Sequence, residues 1–185
     1  MSVPPFNLYG ASFVVARDAL TTLDALLKKG RSSPNAPNLP SARIYEDMKP
    51  LTFQVYTACN VVRKMVAYTL DTDLSAAWGD EDLVTFDDMH ARIAHAQELL
   101  AIADENTVNE RSTGTISLFT NVYGTVELST HVWITSHILP YMFFFVVTAY
   151  GILRKEGVSI AMRDYLEPFN STLKDNGHSG KASLG

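Results

Sequence analysis

Apolar residues recur at helical spacing in three stretches of the chain and almost fill a fourth. From Asn7 to Lys29 the positions Leu8, Ala11, Val15, Ala19, Leu23, Leu26 and Leu27 repeat every three or four residues, with Leu20 flanking them. That is the spacing of one helix face. Asn7 suits the N-cap, and Gly30 after Lys28 and Lys29 suits the stop. A second helix is predicted from Asp47, as cap, to about Asp71, with Pro50 in its first turn. Its inner face is Leu51, Val55, Ala58, Val62, Met65 and Thr69, with Gln54 as the polar neighbour. A third helix is predicted from Thr85 to about Ala103, facing inward through Phe86, Met89, Ile93, Ala96 and Leu100. Thr85 with Asp88 three residues on resembles a capping box.

The fourth stretch, Thr130 to Leu153, lies in a run without Asp, Glu, Lys or Arg between Glu127 and Arg154. Its length suits either a bilayer span or the spine of a bundle. Thr130, His131, Thr135, Ser136, His137, Pro140, Thr148 and Tyr150 are a polar load for lipid, and no Lys/Arg cluster flanks the run. The amphipathic helices upstream need an apolar element to pack on. The expectation is a core helix of a soluble protein, not a membrane anchor, with Gly157 as its C-cap.

Between the first and second helices, RSSPNAPNLPSARIY carries three prolines and no periodicity. It is a long crossover loop, either lining a pocket or only connecting. Trp78, in an acidic segment, is expected to pack over a bundle end. Thr115–Val126 is rich in β-branched and aromatic residues with Gly114 and Gly124, the pattern of a small hairpin or an extended loop. VSIAMRDYLEPF suits a short last helix. Together these elements predict an all-α, up-down four-helix bundle over residues 1–169, followed by a disordered tail over 170–185.

Composition narrows the class. The chain has 185 residues, 46% of them hydrophobic, 19% charged, and a net charge of −5. Without a basic stripe, nucleic acid is not an expected partner. Cys59 is the only cysteine, which excludes intramolecular disulfides and thiolate clusters and suits a reducing, cytoplasmic compartment. The first residues, MSVPPFNLYG, lack the pattern of a signal peptide. Gly-rich phosphate loops, G-x-S-x-G elbows and H-E-x-x-H motifs are absent from the sequence.

IYEDMKPLTFQVYTACN, HARIAHAQELL and LPYMFFFVVTAYGILRKEGVSIAMRDYL resemble, in order and spacing, a family of single-domain proteins within the DinB/YfiT-like metalloenzyme superfamily. The resemblance covers most of residues 7–167. It implies an up-down bundle, frequently dimeric, with a pocket between helices. In the wider superfamily that pocket holds a divalent metal on three histidines, one early in the second helix and an H-x-x-x-H pair on the fourth. Some members act with low-molecular-weight thiols. This chain offers Gln54 on the second helix and Phe145 inside the F-F-F run, and no two histidines of the fourth helix lie four apart. Neither a metal nor another cofactor is therefore expected.

The histidines give the same reading without the resemblance. His131 and His137 lie about 120° apart around a helix, and His90 and His95 about 140°, so neither pair can grip one ion. His137 shares a face with Ile134, Ile138, Tyr141, Phe145 and Thr148, expected to turn inward. Buried there, it is either a neutral imidazole satisfied by its surroundings or a group with a pKa suited to proton transfer. In the second case Tyr141 would donate to a substrate oxygen, Gln54 would orient the substrate, and Phe145 and Thr148 would complete the pocket. The expected function is a small-molecule-binding bundle working as a homodimer. It could be a cofactor-independent enzyme doing acid/base chemistry (isomerase, cyclase or dehydratase type) on a small apolar or aromatic substrate. A metal-dependent hydrolase or thiol transferase, and a dimeric interaction module without a small ligand, are the alternatives.

Overall fold

The structure, a computed structural model, describes residues 6–74 and 83–170. It is mostly helical, with one two-stranded sheet. The long helices are α1 (Val15–Arg31), α2 (Leu51–Leu70), α3 (Phe86–Ala101) and, after a short α4 (Glu105–Glu110) and a hairpin of β1 (Thr115–Thr120) and β2 (Gly124–Ser129), α5 (Thr130–Lys155). α6 (Met162–Leu166) closes the described chain. Trp78 and all of the expected tail but Asn170 lie outside the described residues.

Each long helix follows from its end signals and its buried stripe, with instructive exceptions. Asn7 accepts the Gly10 N–H at 2.7 Å, as a cap should. Gly30, the expected stop, is instead inside α1. A Cβ there would come within 3.0 Å of Leu153 Cδ2, so the glycine permits close approach of α1 to α5. α2 starts later than expected, at Leu51 with extended Pro50 before it, and Asp47 does not cap it. Ala42 instead accepts the Leu51 N–H at 2.9 Å, and Lys49 accepts the Gln54 side-chain N–H at 2.8 Å. Asp71 ends α2 in the left-handed region, at φ 52°. The Thr85–Asp88 capping box forms at α3 as the spacing predicts. α4, absent from the sequence reading, is capped by Asp104, which accepts the Asn106 and Thr107 N–H groups.

The hairpin is antiparallel, from Thr115 opposite Ser129 to Thr120 opposite Gly124. Gly124 takes the positive φ of 69° at its turn. α5 ends in a Schellman motif: Val158 N–H reaches the Leu153 carbonyl at 3.0 Å and Gly157 N–H the Arg154 carbonyl at 3.1 Å. Gly157 supplies the left-handed residue, at φ 83°.

Helix directions depart from the expected alternation. Arg31 meets Asp87 and Thr21 meets Gln97, so α1 and α3 are antiparallel. Arg92 of α3 lies over the Tyr56 ring of α2, and the ends of α1 and α5 meet at Gly30 and Leu153, so α1 and α5 run in the same direction. Phe53 packs on Phe145 and Tyr68 on Trp133, so α5 runs against α2. α1 and α2 each pack on both α3 and α5. The parallel α2–α3 pair is possible because residues 71–85 are enough chain to reach about 50 Å, more than the roughly 30 Å length of α2.

The core lies among these four helices. On α5 it is Trp133, Ile134, Ile138, Met142, Val146, Ala149, Ile152 and Leu153 that are buried. α5 is long and apolar enough to cross a membrane by length and composition, yet this face packs inside the protein. Less than half of its most apolar window is buried, which leaves an apolar outer face.

Candidate functional site

The residues predicted to converge are dispersed. His137 is exposed, and Tyr141 is 62% exposed on the outer side of α5. Phe145 is half-buried beneath Tyr141 and Phe144, with ring centroids 5.6 and 5.3 Å away. Thr148 is buried, but its hydroxyl donates to the Phe144 carbonyl of its own helix at 2.7 Å. Gln54 is 3% exposed, with its amide N–H on Lys49 and its Oε1 without a partner. The inward face is thus the neighbouring stripe, not the one through His137 and Tyr141. The cause is local: Ile134–Ile138 is π-helical, and a π turn holds an extra residue that shifts the face downstream. Gly10–Val14 does the same before α1, where Ser12 and Phe13 are buried in place of Ala11 and Val15.

The metal of the wider superfamily does not fit this donor set. At the α2 and α5 positions in question stand an amide, Gln54, and a ring, Phe145, which Phe53 meets edge-on at 6.3 Å. A single amide oxygen cannot replace imidazole and carboxylate ligands. Among the described residues no three His, Cys, Asp or Glu lie close enough to hold an ion. Three described histidines are engaged elsewhere: His90 Nδ1 lies 2.6 Å from Asp24, His95 Nδ1 3.5 Å from Glu98, and His131 Nδ1 3.1 Å from the Ser112 carbonyl. Cys59 is fully buried on α2, and burial pushes its thiol up to about 12, so it is no nucleophile.

A cleft lies elsewhere, at the C-terminal end of α2, and has a volume of about 920 Å³. One wall is the last two turns of α2 with the residues leading to Leu74; the other runs from Glu110 through the base of the hairpin to Thr130. Its charged residues are Arg63, Lys64, Arg111, Asp71, Asp73 and Glu110. Among the described residues Arg63, Lys64, Arg111, Asp71 and Glu110 make no ion pair. Arg63 donates to Asn60 Oδ1 at 3.0 Å and to the Leu74 carbonyl at 3.2 Å. Arg111 points at the Thr69 carbonyl, 3.4 Å away, one of the carbonyls left free at the end of α2. Thr69 is buried in the wall with its hydroxyl unpartnered. Sequence reading missed this site because its walls come from four separate segments. The one available signal was the charged stripe Lys64–Asp71 on an otherwise apolar helix.

This arrangement of helices and hairpin is DinB-like. A crystal structure of a DinB family member protein from Shewanella denitrificans superposes with a TM-score of 0.76, at 27% sequence identity, over 86% of this chain and 91% of that one. The family itself follows from the sequence: residues 8–166 match the model of the family described as Domain of unknown function (DUF1993), and the chain belongs to that family. No functionally curated protein matches it.

Proposed function

We propose that this protein is a soluble, cytoplasmic four-helix bundle of the DinB type that binds a small molecule in the cleft at the C-terminal end of α2. The observation carrying this reading is that five of the cleft's charged side chains, Arg63, Lys64, Arg111, Asp71 and Glu110, make no ion pair among the described residues. Charges facing one another across a concave surface usually pair, and a cleft that leaves them open is suited to a polar ligand. This moves the ligand away from the apolar or aromatic molecule the sequence suggests. The reading assigns binding and no reaction, since Gln54, His137 and Tyr141 do not meet and the donor set suits no metal-dependent hydrolase or thiol transferase. Titrating ¹⁵N-labelled protein with a small-molecule fragment library tests it. Amide shifts should gather at Ala67, Tyr68, Asp71, Gly114 and Ser117. Shifts confined to the outer face of α5, or none at all, would contradict it.

A second reading, that the protein works as a homodimer, is favoured by the outer face of α5. Tyr141, Phe144 and Val147 are 62, 59 and 52% exposed, and Phe53, Ile44 and Tyr45 extend the patch. With an aromatic side chain taken at about 200 Å², these residues expose roughly 600 Å² of side chain. Two copies would then bury about 1,200 Å², the lower end of specific interfaces. α5 carries no charge before Arg154, so its own part of the face brings no like charges together when paired with itself.

A further inference from the structure

We infer that the cleft takes a molecule with an anionic group at one end and a cationic group at the other, about two helical turns apart: the chemistry of a short peptide with free termini. This rests on reading the cleft as the ligand site. Lys64, Ala67, Tyr68 and Asp71 stand at i, i+3, i+4 and i+7 of α2 and all line the cleft, so they form one stripe. Seven residues place Lys64 and Asp71 roughly 10 Å apart along the axis, beyond the reach of the i,i+4 pair that would cancel them. Arg63, next to Lys64 in sequence, also lines the cleft and keeps guanidinium N–H groups beyond those given to Asn60 and to the Leu74 carbonyl.

The acidic end is doubled by Glu110, next to the Arg111 that caps the Thr69 carbonyl. That end is also the C-terminus of α2, whose partial negative charge favours an ammonium group, although Arg111 takes the Thr69 carbonyl and the Thr72 N–H the Ala67 carbonyl. Tyr68 and Ala67 lie between the two ends as an apolar floor. Thr115 and Ser117, on the opposite wall, offer hydroxyls to a ligand backbone. An extended peptide advances about 3.3–3.6 Å per residue, so three residues span the stripe. An apolar ligand would instead desolvate these charges without pairing them, at a cost of several kcal/mol.

The test uses the full-length chain, ¹⁵N-labelled, titrated with tri-L-alanine, its N-acetyl form and its C-terminal amide, beside a set of neutral aromatic fragments. Tri-alanine should shift amides over 64–71 and 114–117, and blocking either terminus should weaken it about tenfold, the value of one charge-assisted contact. Lys64→Gln should match the effect of the amide and add little to it; Asp71→Asn, which keeps a residue tolerant of the left-handed region, should match the acetyl group. Equal binding of free and blocked peptides would overturn the inference. If the neutral fragments shift the cleft amides and tri-alanine does not, the inference fails while the cleft remains the ligand site. If nothing shifts them, both fail.

Discussion

The two ends of α2 face different problems. Near its start, Phe53 joins Tyr141, Phe144 and Phe145 in an aromatic surface with the Lys49 ammonium over the Phe53 ring. Near its end, Lys64, Tyr68 and Asp71 line an open cleft rich in charge. The first region offers area without directional groups, which suits a protein face. The second offers directional groups around its apolar floor, which suits a small polar molecule. The sequence reading merged the two by placing its pocket where the aromatic residues are. The structure separates them along one helix.

That separation can be broken by substitution. The largest effect is expected from Phe144→Asp, which puts a charge at the centre of the aromatic face. Self-association should weaken by at least about a hundredfold, several kcal/mol, because two copies would bury unpaired carboxylates. Sedimentation velocity reads this; a wild type that is monomeric at high concentration would remove the dimer, and cleft binding should not change in either case.

The middle of α2 ties the ends together and gives the next effect. Folding favours the neutral Cys59 thiol, raised from 9.0 to about 12. Its contribution is therefore complete below about pH 9 and is lost as pH rises toward about 12, at up to about 1.4 kcal/mol per pH unit. Urea unfolding at pH 8 to 10.5 should show wild type losing stability more steeply than Cys59→Ala; parallel curves would refute the assignment. Smaller still, Thr85→Ala removes the cap of α3 and should cost about 1 kcal/mol in denaturant unfolding. Neither self-association nor ligand affinity should move, since the cap belongs to neither region.

Where the chain kept a regular period, its sequence was sufficient. The inner face of α2, from Leu51 to Thr69, and that of α3, from Phe86 to Leu100, are buried as the spacing predicts. The hairpin was legible from its β-branched residues and Gly124. The face of α5 was not, because a helix apolar nearly all round carries no phase and its π turn at Ile134–Ile138 shifts the register. His137 and Tyr141 were misplaced for that reason alone. The parallel course of α2 and α3 was illegible because it depends on a connection long enough for either direction. The cleft was illegible because Arg63, Asp71, Glu110 and Thr115 come together only after the hairpin folds against α2.

The most direct test of this account compares one ligand on three proteins. The dissociation constant of a cleft-binding fragment or peptide should be measured for wild type, Lys64→Gln and Phe144→Asp under identical conditions. The account predicts weakening of about tenfold with Lys64→Gln and no change with Phe144→Asp. Weakening by Phe144→Asp with Lys64→Gln unaffected would place the ligand on the aromatic face and contradict it.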